Sequence, residues 1–127
     1  MNDLKKQKIL ITGAGGQLGR TLKDYLRESD TVKYVSKAQL DIADFSAVRT
    51  YFKDFQPNIC INTAAYTAVD EAEKKPDIAF NINAEAVANL AKCCVEWNTK
   101  LIHISTDYVF DGKAKIPYKE TDTTNPE

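Results

Sequence analysis

The sequence predicts a doubly wound α/β fold on a parallel sheet. Three observations lead to it. Short apolar runs of strand length alternate along the chain with longer stretches of helical periodicity. A helix-sized crossover separates each run from the next, as parallel strands require. A glycine-spaced loop, Gly13-Ala14-Gly15-Gly16-Gln17-Leu18-Gly19, stands where the first strand passes into the first helix.

Residues 8–12 read as the first strand, and 17–28 as a helix with Leu18, Leu22 and Leu26 on one face. Ser29-Asp30 precedes a second strand at 32–36. Asp44 is placed to cap a helix whose apolar stripe is Phe45, Val48, Phe52 and Phe55. Pro57-Asn58 ends that helix ahead of a third strand at 59–62. Thr67-Ala68-Val69-Asp70 has the spacing of a helix cap, and Pro76 can start or restart a helix. Beyond it Ala79, Ile82, Asn83, Ala86, Val87, Leu90, Ala91 and Cys94 share one helical face. Residues 101–105 read as the fourth strand. His103, two residues before its end, is expected as a packed core histidine of an interior strand rather than a base. The polar stretch 111–127, with Pro117 and Pro126, reads as a loop. One domain over 1–127 accommodates all of this, with no repeat or linker.

Right-handed crossovers place the 32–36 strand on one side of the first strand and the third strand on the other. The order reverses there, so a ligand is expected beyond the carboxyl ends of the strands. The segments at those ends are 13–19, 36–37, 63–67 and 105–107. All are rich in small or hydroxylated residues. Glycines at 13, 16 and 19 give the spacing G-x-x-G-x-x-G. Such a loop lets the backbone approach a pyrophosphate, and the helix behind it supplies N–H groups and partial positive charge. The same glycines would also serve a plain turn, and the strand–helix context favours the dinucleotide.

Composition narrows the alternatives. The 127 residues carry 17 Lys+Arg against 18 Asp+Glu, with no basic cluster, so a nucleic-acid partner is not expected. No apolar stretch is long enough to cross a bilayer, and residues 1–8 lack a signal-peptide core. Three cysteines, Cys60, Cys93 and Cys94, fit a reduced, cytoplasmic protein. His103 is the only histidine, and no metal site is expected.

Five stretches point further: Ile9-Leu-Ile-Thr-Gly-Ala-Gly-Gly-Gln-Leu-Gly19, Leu40-Asp-Ile-Ala-Asp44, Asn62-Thr-Ala-Ala-Tyr-Thr-Ala-Val-Asp-Glu-Ala-Glu73, Ser105-Thr-Asp-Tyr-Val-Phe-Asp-Gly112 and Ile116-Pro-Tyr-Lys-Glu-Thr-Asp122. With them the chain resembles the extended short-chain dehydrogenases/reductases, and within these the dTDP-4-dehydrorhamnose reductase family. The resemblance implies a Rossmann-like oxidoreductase fold that takes NADP(H) or NAD(H). It also implies reduction of the 4-keto group of dTDP-4-dehydro-6-deoxy-L-mannose in dTDP-L-rhamnose synthesis, a route to cell-wall polysaccharide. Gly16, Gln17 and Leu18 would hold the pyrophosphate, with Gly13 also at the cofactor, and Asp41 and Ile42 would meet the adenine. Ala65, Tyr66 and Thr67 would line the nicotinamide-ribose side, with Ala64 also at the cofactor and Ile104 behind the ring. Thr106 would hydrogen-bond the substrate oxygen undergoing reduction, and Asp107 would lie beside it. A polar cap at a strand end is the plainer role for that last pair.

The end of the second strand bears on cofactor choice. An acidic residue there would repel a 2′-phosphate. Ser36-Lys37 permits either cofactor, with Lys37 a phosphate partner or an ordinary solvated lysine.

The family also implies a proton-donating tyrosine with a lysine four residues later. None of the six tyrosines here has one. The chain therefore reads as the N-terminal part of a reductase. Its sheet is expected to be truncated after the fourth main strand, with the C-terminal substrate-binding region outside it. No useful turnover is expected from it alone, and self-association through the exposed sheet edge is. Two other readings share much of the pattern. One is a non-catalytic module of the methionine adenosyltransferase regulatory type, and the other is a nucleotide-sugar epimerase or dehydratase.

Overall fold

The computed structural model describes residues 7–65, 67, 69–106 and 108–126. Four parallel strands, β1 (Ile9–Thr12), β2 (Val32–Val35), β3 (Ile59–Asn62) and β4 (Lys100–His103), form one sheet in the order β2-β1-β3-β4. The reversal of order between β1 and β3 is the one the crossovers predict. Ile9 pairs with Val32 on one side and Ile59 on the other, and Thr12 with Val35 and Asn62. Asn62 in turn pairs with His103.

The helices are α1 (Gln17–Tyr25), α2 (Phe45–Phe55), α3 (Val69–Lys74), α4 (Pro76–Phe80) and α5 (Ala86–Glu96). Side chains alternate across each strand, so the sheet buries two apolar faces. Leu10, Val35 and Cys60 meet Val48 and Phe52 of α2 and Leu90, Cys93 and Cys94 of α5. Ile9, Ile11, Val32 and Tyr34 form the other face, covered by Leu22 and Leu26 of and beyond α1. Each fully buried aliphatic or aromatic side chain stabilises the fold by about 1.5–3 kcal/mol. A hydrogen bond with the Cys94 thiol, and burial, hold the Cys60 thiol well above its ordinary range, so it packs as a protonated core residue.

Local signals set several boundaries. The Asp44 carboxylate accepts the Ala47 N–H at 3.0 Å and caps α2 as expected. Pro76 occupies the first turn of α4. The cap read at Thr67-Ala68-Val69-Asp70 falls partly outside the described residues.

Other boundaries differ from the sequence reading. The helix expected over 17–28 ends at Tyr25, where the Tyr34 hydroxyl of β2 donates to the Leu26 carbonyl at 2.6 Å. The strands expected at 8–12, 32–36 and 101–105 run Ile9–Thr12, Val32–Val35 and Lys100–His103, so Ile104 and Ser105 lie beyond β4. Phe45 opens α2 and stays exposed at the rim of a small cavity between α2 and α5. A π-helical turn, Asn81–Glu85, joins α4 to α5, closed by Ala86 N–H to the Asn81 carbonyl. Its wider winding rotates the face read as a single stripe. Asn83 is exposed, while Cys93, outside that stripe but one turn on from Leu90 in α5, is buried.

His103 is corrected too: it is exposed, because β4 is the edge strand of the described sheet. Its ring meets Asn62 at 3.1 Å instead of packing into the core. No helix of the described residues is long and apolar enough to cross a membrane.

Residues 108–126 form no helix or strand, yet they are internally tied. Phe110 stacks on Tyr118 with ring centroids 4.3 Å apart. Asp111 Oδ1 accepts the Lys113 N–H at 3.0 Å and the Tyr118 hydroxyl at 2.9 Å. The Lys113 N–H first, and then the Tyr118 hydroxyl, hold the Asp111 carboxyl below its usual range. A carboxyl depressed in the folded state supports the loop above its unfolded value and loses that support as pH falls through the folded one. Tyr118 NMR signals should therefore stay constant from neutral pH downward and move only below the ordinary aspartate range. Asp111→Asn should abolish that step. An unchanged step in the variant would show that another group orders the loop.

Candidate functional site

Three loops leave the carboxyl ends of β1, β2 and β3 and converge. The first turns at Gly13, whose φ is +70°. A Cβ at Gly13 would fall on backbone of the β3 loop, 2.7 Å from the Thr63 carbonyl carbon. The Thr63 hydroxyl reaches back to the Thr12 carbonyl at 2.7 Å and the Gly13 carbonyl at 3.2 Å, locking the two loops together. Gly19 is equally constrained, since its Cβ would lie 2.7 Å from Ala14 Cα.

Gly16 differs from both. It sits at the N-terminus of α1 in extended backbone, with φ −77° and ψ 173°, and no side chain caps the helix. A Cβ there would meet only the Gly13 carbonyl oxygen, at 3.3 Å. One at Gly15 would meet nothing within 4 Å. Internal packing thus explains Gly13 and Gly19. Gly15 instead borders open space, and Gly16 leaves bare backbone with only the Gly13 oxygen close to it.

The second loop is a turn held by Ser36. Its N–H and hydroxyl both donate to Gln39 Oε1, at 2.9 and 3.1 Å, and its carbonyl accepts the Leu40 N–H at 2.9 Å. Asp41 Oδ1 accepts the Ala43 N–H at 3.0 Å, which brings the buried Ile42 to the same side. In the third loop the Ala64 N–H donates to Asn62 Oδ1 at 3.2 Å.

Between these loops lies a cleft of about 240 Å³. Gly13, Gly15 and Gly16 form one wall, Lys37, Leu40, Asp41 and Ile42 a second, and Thr63, Ala64 and Ala65 a third. Ile82 closes it from the π-helical turn. The structure thus gathers six of the site residues read from the sequence (Gly13, Gly16, Asp41, Ile42, Ala64 and Ala65), together with Lys37.

Gln17, Leu18, Ser36, Thr67, Ile104 and Thr106 are described but are not among the lining residues. Tyr66 and Asp107 lie outside the described residues. Thr106 is exposed, and its Oγ1 accepts the Tyr108 N–H at 3.1 Å. Sequence reasoning missed Ile82 as a lining residue, because the π-helical turn that aims it has no periodic signature. A larger groove of about 670 Å³ runs along α2 from Gln39 to Phe55 and shares Leu40 with the cleft.

A bare-backbone wall at a helix N-terminus, an apolar wall and a lysine suit a long anionic ligand with a flat apolar end. The family model described as "RmlD substrate binding domain" matches residues 7–127. A dTDP-4-dehydrorhamnose reductase of Aggregatibacter actinomycetemcomitans is 42% identical over 121 residues, 94% of this chain and 41% of its own length. A crystal structure of such a reductase from Clostridium acetobutylicum superposes with TM-score 0.88 at 46% identity, over 94% of this chain and 43% of that one. One from Bacillus anthracis, in complex with NADP, superposes with TM-score 0.90 at 40% identity, over 95% and 44%. The chain thus spans about two fifths of the length of the curated relatives it matches, 41% and 42% of two of them. Since the family model covers all but the first six residues, the chain belongs to the RmlD substrate binding domain family, and relatives similar to it include proteins named dTDP-4-dehydrorhamnose reductase.

Proposed function

We propose that this chain is the cofactor-binding part of an NAD(P)H-dependent dTDP-4-dehydrorhamnose reductase. One observation carries the reading: Gly15 and Gly16 present bare backbone to a cleft at the β1–β3 switch point, where a Cβ on Gly15 would meet nothing within 4 Å and one on Gly16 only the Gly13 oxygen. The relative from Bacillus anthracis in complex with NADP supports it.

In this reading the N-terminus of α1, through Gly16, Gln17 and Leu18, binds the pyrophosphate. Asp41 and Ile42 border the adenine. Ala64 and Ala65, with Tyr66 and Thr67, take the nicotinamide-ribose end, and Ile104 stands behind the ring. When bound, a reduced nicotinamide supplies the hydride. Thr106 hydrogen-bonds the substrate oxygen, its Oγ1 positioned by the Tyr108 N–H, and Asp107 borders the sugar.

The chain holds no tyrosine with a lysine four residues on. Positioned proton donation contributes about 10²–10⁴-fold to such reactions. The purified chain is expected to bind NADPH or NADH saturably and to show no useful turnover of dTDP-4-dehydro-6-deoxy-L-mannose. Absence of saturable binding would remove the reading. Measurable turnover would show that another group donates the proton.

Lys37 lines the cleft, whereas the Ser36 hydroxyl is engaged by Gln39. One exposed ammonium contributes about 1 kcal/mol or less to a phosphate contact. The preference between cofactors is therefore expected to stay within about tenfold. Ser36→Asp should shift it toward NADH, and parallel titrations of both cofactors measure this. An unshifted ratio would mean that the 2′ position lies elsewhere.

The fourth strand pairs with β3 alone among the described residues, and Ile102 and Ile104 are 43% and 48% exposed. An apolar parallel edge is a template for another strand. Light scattering on the purified chain is expected to show concentration-dependent self-association. A monodisperse monomer at high concentration would rule that out.

A further inference from the structure

We propose that His103 is a positioning residue for the cofactor cleft: its ring fixes the orientation of the Asn62 amide, and that amide holds the loop wall at 63–65. Thr12, Asn62 and His103 are register partners across β1, β3 and β4. Thr12 and Asn62 are both fully buried. Asn62 Oδ1 lies 2.6 Å from Thr12 Oγ1 and 3.2 Å from the Ala64 nitrogen. A backbone N–H can only donate, so the amide atom facing Ala64 must be the oxygen. The amide nitrogen, a donor only, then faces His103 Nδ1 at 3.1 Å. That ring atom must accept, which requires the neutral ring with its proton on Nε2.

A ring carrying its proton on Nδ1, or no ring at all, leaves the buried amide nitrogen without this partner. Facing an Nδ1–H donor the amide gains by turning over, which removes the acceptor from the Ala64 N–H; with no ring it is no longer pinned from the β4 side and is held only through Thr12 and Ala64. Ala64 walls the cleft and abuts Gly13, so His103 reaches the ligand space through two bonds without touching it.

The inference rests on the dinucleotide reading for its ligand arm alone. His103 is the only histidine, so its ring ¹⁵N signals in the full labelled chain are unambiguous. They should report the Nε2–H tautomer at neutral pH, and an Nδ1–H ring overturns the proposal. His103→Asn keeps an acceptor near the Nδ1 position, and His103→Leu removes it. Amide exchange at Ala64 should stay within about twofold of wild type in the first and accelerate about tenfold or more in the second. NADPH affinity should follow the same order, falling about tenfold in His103→Leu only. Equal exchange in all three proteins, or no rescue by asparagine, overturns the proposal. If the wild-type chain binds no NADPH, the dinucleotide reading fails, while the tautomer and exchange results still decide the role of His103.

Discussion

Gly13→Ala is expected to destabilise the chain by several kcal/mol. A left-handed φ costs a residue with a Cβ about 1–2 kcal/mol. The collision with backbone of Thr63 and Ala64 adds an overpacking cost of about 1–3 kcal/mol. Both partners in that collision are main chain, and the Thr63 hydroxyl ties them to β1, so neither can swing aside. Gly15→Ala is the control, because a Cβ there meets nothing within 4 Å. Its cost should stay within about 0.5 kcal/mol. Urea unfolding of the three proteins gives the comparison. Matching midpoints for wild type and Gly13→Ala would mean that the β1 and β3 loops are not in contact.

Gly16→Val should behave in the opposite way. Its extended backbone, φ −77° and ψ 173°, suits any residue, and only the Gly13 oxygen lies near the new Cβ. Loss of a glycine N-cap costs about 1 kcal/mol or less, so the fold should survive. A branched side chain would stand where the pyrophosphate must approach the helix N-terminus. NADPH affinity should fall by about a hundredfold or more, close to 2.7 kcal/mol. Fluorescence titration measures the affinity, and urea unfolding of the same samples confirms the fold. A variant that binds as wild type would place the pyrophosphate away from α1.

The contrast between these glycines shows what the sequence could and could not convey. The loop spacing, the apolar strand runs and the Asp44 cap are local signals, and they locate β1, β3 and α2 correctly. The switch point between β1 and β3 follows from crossover handedness, so the place of the cleft was readable as well. Which glycine serves the fold and which faces the ligand space is not local. It depends on Thr63 and Ala64, some fifty residues away in β3's loop. Other departures have the same character. Helix α1 ends at Tyr25, and a hydroxyl from β2 takes the carbonyl of Leu26, the residue after it. His103 is exposed because its strand has a partner on one side only among the described residues. Ile82 reaches the cleft from a π-helical turn, whereas hydrophobic periodicity assumes uniform winding.

The central claim is that the cleft between the three loops holds a dinucleotide. NMR titration of the ¹⁵N-labelled chain with NADPH tests it most directly. Saturable shifts of the Gly15, Gly16, Ile42 and Ala64 amides, with the Thr50–Phe55 amides beside the larger α2 groove unmoved, are the predicted result. Shifts confined to that groove, or none at all at saturating NADPH, would contradict it.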